Sequence, residues 1–232
     1  MDLEEVVVTR IAPEQDRWSR AVALLGAAGP LVFMTVVLLA GLSWAGYDPV
    51  RQTHSELGAV GSPVRWVVNL GGFVLLGVTL LAFALAYRSQ LRPSAWREVA
   101  AVLLVLAGAG MIAVGFTPCD AGCVDVTATG RWHSILSAPG AIGVSSAMIA
   151  SGPAFRVDGR FSVRWQVASV ALGSLTLLSG PLIALELLTG VGGLVQRAAM
   201  GVAMLWLCAV GVRLLVVAEE PRRVGAPSRP AA

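Results

Sequence analysis

The 232-residue sequence contains no lysine, only two histidines and few charged side chains of any kind. Charged residues make up 13% of the chain, whereas hydrophobic residues make up 56%. A soluble domain of this length cannot bury so much apolar surface, so the composition predicts a protein whose solvent is the lipid bilayer. The net charge of +3 comes from arginines scattered between apolar runs. Because they form no basic stripe, a nucleic-acid partner is not expected.

The signatures of common enzyme classes are also missing. The sequence has no His-Glu-x-x-His zinc motif, no Gly-x-Ser-x-Gly nucleophile elbow and no phosphate-binding loop. No motif indicates a cofactor. The first 20 residues mix acids with arginines and lack the short apolar core and small-residue cleavage site of a secretory signal. We therefore expect the first apolar run to be retained.

Six apolar runs are long enough to cross a membrane as helices. About 20 residues span the roughly 30 Å hydrocarbon core, and these runs are continuous rather than alternating. They cover approximately residues 21–45, 64–87, 98–117, 133–155, 165–187 and 192–216. The sequence thus predicts an all-α integral membrane protein, a compact bundle of six transmembrane helices within residues 21–217. An N-terminal segment at 1–20 and a disordered tail at 218–232 flank it.

The arginines are distributed unevenly along this pattern. Thirteen of the seventeen lie in the two terminal segments or in the second and fourth loops, which share one side of the membrane if there are six spans. Arginine-rich loops stay in the cytoplasm. Only Arg51, Arg65, Arg131 and Arg197 remain for the other side. The distribution predicts a multi-pass protein of the cell membrane with both termini cytoplasmic.

The loops predicted to be extracytoplasmic carry both histidines and many other ionisable groups. These residues are Asp48, Arg51, His54, Glu56, Arg65, Asp120, Asp125, Arg131, His133, Glu186 and Arg197. Loops in water collect such groups whatever the protein does, so the cluster has an ordinary explanation beside a functional one.

Two pairs of polar residues lie close to the predicted hydrocarbon. Glu186 and Arg197 flank a tight turn at similar depth, and an ion pair would tolerate both where one charge alone costs about 3 kcal/mol at the bilayer centre. Such a pair either locks two spans together or lines a polar cavity. Arg65 and Asn69 share one helix face at the start of the second span. Arg65 can snorkel to the interface, whereas the Asn69 amide needs a polar partner inside the bundle.

Cys119 and Cys123 are separated by three residues in a loop assigned to the oxidising side, which favours a disulfide. A zinc site would need a second cysteine pair, which the sequence lacks. Two imidazoles with Glu56 or Asp120 would suit a zinc or manganese ion. A lone histidine at the interface more often makes hydrogen bonds, so we predict no metal.

Five features form a recognisable combination: GYDPVRQTHSELGAVGSP after the first span, NLGGF in the second, GFTPCDAGC ending the third, a histidine opening the fourth, and GLVQRAAMGVAMLW in the sixth. Together they resemble the prokaryotic membrane proteins of the domain of unknown function 998 (DUF998) family, from about Ala21 to Val217. The resemblance implies a compact six-span helical protein. Its signature positions would lie toward one side: Ser55, Glu56, Gly58, Asp120, His133 and Arg197.

If these side chains line one outward-opening cavity, the candidate catalytic groups are Glu56, His133 and Asp120. The candidate binding groups are Ser55, Arg65, Asn69, Glu186 and Arg197, with Arg197 facing an anionic head group. We expect a protein that binds a lipid or a small amphiphilic molecule. One alternative is an intramembrane enzyme that acts on a lipid or isoprenoid by carboxylate and histidine acid–base chemistry. A transporter is less favoured, because it would require a homo-oligomer and no charged path crosses the middle of the bilayer.

Overall fold

The computed structural model describes the backbone of residues 3–184, 187, 188 and 190–217, and within these ranges it does not describe the side chains of residues 3–19, 183, 184 and 217. Glu186 and the predicted tail at 218–232 therefore lie outside the described residues.

Helices account for most of the described chain. They are α1 (Leu3–Ser43), the single turn α2 (His54–Leu57), a π-helical segment (Val67–Val74) that continues into α3 (Leu75–Gln90), α4 (Ala95–Phe116), α5 (Ala128–Asp158), α6 (Val163–Ala184) and α7 (Gly192–Val217). A three-residue 3₁₀ turn, Ala121–Cys123, lies between α4 and α5. No strand occurs among the residues described. The prediction of an all-α protein is confirmed.

Five helices are long and apolar enough to cross a membrane: Arg20–Ser43, Val67–Gln90, Ala95–Phe116, Ala128–Asp158 and Gly192–Val216. A helix pairs its own backbone groups, which is the requirement that lipid imposes. The predicted run at 165–187 coincides with α6, a helix of 22 residues that is not among the five. The count of six spans stays a prediction. Because α1 begins at Leu3, the segment predicted to precede the first span continues the same helix.

The six long helices close into a ring. α1 packs against α3, each later helix packs against the next along the chain, and α7 returns to pack against α1. Small residues allow close contact between neighbours. A Cβ atom on Gly77 would lie 2.5 Å from the Gly108 carbonyl oxygen, so α3 and α4 touch through their backbones.

Large apolar side chains fill the interior of the ring, and two pairs of polar side chains among them bond across helices. The Tyr87 hydroxyl donates to Ser151 Oγ at 2.8 Å, and Trp206 Nε1 donates to Ser169 Oγ at 2.9 Å. Buried polar groups are stable only with such partners. The outward faces remain apolar, as Leu42 at 76% exposure illustrates.

One end of the ring, here called the arginine-rich end, is closed by residues 91–94 and 159–162. Asp158 is 1% exposed, and its carboxylate accepts from the Arg92 main-chain N–H and from Arg160 Nε and Nη2, each at 2.8 Å. Arg213 Nη2 donates to the Arg160 carbonyl at 2.7 Å. A buried carboxylate is tolerated only when it is paired and hydrogen-bonded. Asp158 therefore joins α5 to the loop after α3 and, through Arg160, to α7.

Candidate functional site

The opposite end of the ring, here called the polar end, is formed by residues 44–66 and 117–127 and by the described residues 187, 188, 190 and 191. Every described residue that the sequence predicted for the site lies in these loops or on the adjoining helix ends: Ser55, Glu56, Arg65, Asn69, Cys119, Asp120, Cys123, His133 and Arg197. Two contacts join the first two loops. The Val60 N–H donates to the Cys119 carbonyl at 2.9 Å, and the Cys119 sulfur lies 3.5 Å from the Ser55 carbonyl oxygen.

Arg197 ties the first loop to α7. Its Nη1 donates to the carbonyl oxygens of Pro49, Gln52 and Gly193 at 2.6, 2.7 and 2.9 Å. Its Nη2 donates to the Tyr47 hydroxyl. A guanidinium presents several donors in a fixed plane, which suits a set of diverging carbonyls. All four contacts are with protein groups, and none is with a carboxylate.

The same loop supplies acceptors for the first turn of α7. The Gly193 N–H donates to the Arg51 carbonyl at 3.1 Å, and the Leu194 N–H donates to the Val50 carbonyl at 2.9 Å. These N–H groups have no partner inside their own helix. A Cβ atom on Gly193 would lie 2.2 Å from the Gln52 carbonyl oxygen, so the loop approaches α7 this closely because residue 193 is glycine.

Glu56 closes the turn that leads into α2. One carboxylate oxygen accepts from the Thr53 N–H at 2.9 Å and the other accepts from Gln52 Nε2 at 3.1 Å. The Tyr47 hydroxyl donates to the Thr53 carbonyl at 2.8 Å. Burial raises the pKa of Tyr47 and the neighbouring Arg197 opposes this, so the phenol keeps its proton as a donor.

His54 is buried between aromatic rings. It is 3% exposed, its ring centroid lies 5.9 Å from that of Phe33 in an edge-on arrangement, and it lies 6.5 Å from that of Phe73. Burial, followed by the positive charge of Arg197, lowers the pKa of His54 from 6.5 to about 3. The imidazole is therefore neutral at physiological pH.

Asp120 closes the loop that precedes α5. It accepts from the N–H groups of Val126 and Thr127 at 3.0 and 2.7 Å and from the Thr127 hydroxyl at 2.8 Å. The hydrogen bond from the Thr127 main chain is the main reason that the pKa of Asp120 lies below its usual value. Both oxygens of this candidate catalytic group are thus used by its own loop.

Asn69 lies in the eight-residue π-helical segment at the start of the second span. It is 1% exposed, and its Nδ2 donates to the Gly58 carbonyl at 3.0 Å. Its Oδ1 is buried and has no hydrogen-bond partner in the described part of the chain. The same holds for Nε of Arg65, whose guanidinium lies 4.4 Å above the Trp66 ring. π-Helical turns are rare and often occur at functional sites.

His133 stands beside a disulfide. Cys119 and Cys123 are bonded, with their Cα atoms 5.0 Å apart. His133 Nδ1 lies 2.7 Å from the Thr117 carbonyl oxygen, which can only accept, so Nδ1 carries the proton. Nε2 then has a free lone pair, and it is buried without a partner among the described residues.

The sequence predicted which side chains gather at the polar end better than it predicted their partners. It missed Tyr47, Gln52 and Gln196, which are uncharged. Gln196 Oε1 accepts a hydrogen bond from the main-chain N–H of His54 at 3.0 Å. It also missed Asp158 at the other end. The sequence feature that could have indicated Asp158 is that this single acid follows an apolar run and has an arginine two residues away on each side.

Replacing Arg197 with alanine is expected to release the first loop from α7. The carbonyls of Pro49 and Gln52 lose their donor. Pro49 is exposed and can bond to water, whereas Gln52 is partly buried, so the expected loss is about 1.5 kcal/mol, the size of one hydrogen bond to a charged group. Thermal unfolding in detergent should show a lower midpoint. The Arg197→Lys variant should lose less stability, because lysine keeps the positive charge although it lacks the planar set of donors of a guanidinium. The matched control is Arg51→Ala, whose side chain is 74% exposed; an equal loss in this variant would contradict the assignment.

Acidification is expected to destabilise the protein through His54. Because its folded-state pKa of about 3 lies below the value of 6.5, the unfolded chain takes up a proton that the folded protein does not. The stability that depends on the neutral ring is present above about pH 6.5 and falls by about 2 kcal/mol on going down to roughly pH 4.5. Unfolding midpoints measured against pH should show this loss in the wild type and not in His54→Phe. Parallel profiles for the two proteins would rule it out.

Comparisons with known proteins identify the family. No curated protein and no solved structure matched the chain. A family model described as "Protein of unknown function (DUF998)" matches residues 27–213. That match covers most of the 232 residues and agrees with the predicted resemblance. The apolar helices make the chain a multi-pass membrane protein, and it belongs to the DUF998 family.

Proposed function

We propose that this protein binds an amphiphile with an anionic, hydroxyl-bearing head group at its polar end, most simply a membrane lipid. The observation that carries the proposal is the pair of buried, unpartnered atoms at the start of the second span, Asn69 Oδ1 and Arg65 Nε. An unpaired buried polar atom costs about 1–3 kcal/mol, so a ligand that satisfies both stabilises the complex. A phosphate accepts from Arg65, and a hydroxyl donates to Asn69.

The position of these atoms favours a ligand that arrives from the bilayer. Trp66, beside Arg65, is 61% exposed, and tryptophan and arginine at the start of a span lie at the level of the lipid head groups. The next turn presents Val67 and Leu70, which are 58% and 44% exposed, to acyl chains. A head group bound at Arg65 thus places its tails along an apolar helix face.

The backbone of the π-helical segment supports the same site. Its wider turns shift side chains relative to an α-helix, and a Cβ atom on Gly71 would meet nothing within 4 Å. Open space therefore lies beside Gly71, which shares a helix face with Val67, four residues earlier, rather than with Asn69. This space suits an acyl chain.

A second candidate is an enzyme that acts on a lipid or isoprenoid, and one observation favours it. His133 Nε2 has a lone pair fixed by the bond between Nδ1 and the Thr117 carbonyl, which is the state that a general base needs. Glu56 and Asp120 use both carboxylate oxygens within their own loops. Among the candidate catalytic residues, His133 would therefore move the proton.

We also propose that the polar end faces outward from the cell membrane, with both termini in the cytoplasm. The arginine distribution and the disulfide, which persists in an oxidising compartment, support this orientation. Alkaline phosphatase, which needs that compartment to fold, should be active when fused after Val126 of a truncated chain and inactive when fused to the C-terminus. The reverse pattern would overturn the orientation.

Arg65→Gln is expected to weaken lipid binding by about tenfold or more, the size of one lost charge-assisted hydrogen bond. The measurement is native mass spectrometry of the detergent-purified protein titrated with phosphatidylglycerol. Phosphatidylmethanol, with the same charge and no head-group hydroxyl, and phosphatidylcholine, with no net charge, should bind less tightly. Arg51→Gln, an exposed arginine at the same end, is the control and should bind like the wild type.

The Asn69→Leu variant tests recognition of the head-group hydroxyl separately from recognition of its negative charge. The variant should lose mainly the preference for phosphatidylglycerol over phosphatidylmethanol, since the remaining Arg65 binds both. Equal binding of all three lipids by the wild type would contradict the proposal.

A further inference from the structure

Three potential metal ligands meet at the polar end beside the lipid-facing residues. The sulfur atoms of Cys119 and Cys123 and a ring nitrogen of His133 all lie within 4.8 Å of one another. Cys119 and His133 are 1% and 5% exposed, whereas Cys123 is partly exposed and opens the group to the outside. In the described part of the chain, this is the one such group of histidine, cysteine and carboxylate side chains.

The imidazole of His133 is prepared to act as a ligand. Its Nδ1 proton is bonded to the Thr117 carbonyl at 2.7 Å, which fixes the ring orientation and leaves the lone pair on Nε2. This nitrogen is buried and has no hydrogen-bond partner among the described residues. Histidines that bind metals are usually oriented in this way, by a carbonyl or carboxylate on the second nitrogen.

We infer that Cys119, Cys123 and His133 form a redox-gated site for a thiophilic cation, Cu(I), when the two cysteines are reduced. Thiolates are soft ligands that select Cu(I) or zinc among the common biological metals, and imidazole also suits both of these ions. A structural zinc site takes four protein ligands, whereas the described residues supply three, and three suffice for Cu(I). The inference stands apart from the proposed lipid binding, which uses Arg65 and Asn69.

Reduction is the step that opens the site. An external dithiol donates two electrons and two protons to the Cys119–Cys123 disulfide, giving two thiols, and is itself oxidised to a disulfide. Binding of one Cu(I) then releases the two thiol protons, because the thiolate is the form that coordinates metal. In the oxidised protein neither sulfur is a thiolate, so His133 alone cannot hold the ion.

The loop has bonds that keep the ligands together after the disulfide is broken. Asp120 accepts from Val126 and Thr127, which closes a loop that contains Cys123 and begins next to Cys119. The Cys119 carbonyl accepts from the Val60 N–H at 2.9 Å. Since neither contact involves a sulfur atom, both cysteines are expected to stay near His133 in the dithiol form. Such preorganisation favours metal binding.

The test is an anaerobic titration of the full chain in detergent with Cu(I), in competition with a chromophoric Cu(I) chelator. Protein that has been reduced with a phosphine and freed of it should bind one equivalent, and the oxidised protein should bind none. Cys119→Ser, Cys123→Ser and His133→Gln should each lower the affinity of the reduced protein by at least about tenfold, the size that even a second-shell change can have. The comparison of oxidised with reduced wild type needs no variant and does not depend on how the variants fold.

Cys208→Ser is the matched control, because Cys208 is a free cysteine on α7 outside the group. It should bind Cu(I) like the wild type. Equal binding by oxidised and reduced protein, or loss of binding in Cys208→Ser, would overturn the inference. Binding of zinc without Cu(I) would overturn the assignment of the ion. Lipid binding without Cu(I) binding would refute this inference alone, and the converse result would refute the proposed function alone.

Discussion

The main-chain carbonyl oxygens of the loop after α1 lie outside any helix and need other hydrogen-bond donors. At the polar end, Arg197 is the side chain that supplies them. Its guanidinium holds the main chain at Pro49 and Gln52 against α7. From this anchored loop the chain continues to Gly58, whose carbonyl accepts from Asn69. Arg197 and Asn69 thus hold this loop at two points.

The helices were largely predictable because lipid leaves an apolar backbone few alternatives. The run predicted at 98–117 is Ala95–Phe116 in the structure, and the run at 192–216 is Gly192–Val217. Two features of the first half escaped prediction. Hydropathy does not reveal that α1 begins at Leu3, since about half of residues 3–19 are polar. It also cannot distinguish α- from π-helical hydrogen bonding, so it does not predict the π-helical segment Val67–Val74.

The sequence indicated the end of the bundle at which the candidate residues lie, but not the partners of their side chains. The prediction of six spans put the loops with His54, Glu56 and Asp120 at one end, and in the structure these loops lie at the same end of the bundle. Their hydrogen-bond partners, however, are mostly main-chain atoms. The positions of these atoms depend on the path of the loop, which the residue types do not reveal. Glu56 thus accepts from Thr53 and Gln52 within its own turn. The amide of Asn69 needs polar partners inside the bundle, and the Gly58 carbonyl supplies one to its nitrogen alone.

The ring arrangement bears on how the protein assembles during synthesis. Because each long helix after α1 packs on the one that precedes it in the chain, hairpins can form in sequence as helices enter the membrane. Contacts between close neighbours require little loop-closure entropy. The exception is the seam between α1 and α7, which joins the first helix to the last. Until α7 is inserted, the early helices expose one side to lipid, and the arrival of this final helix completes the bundle.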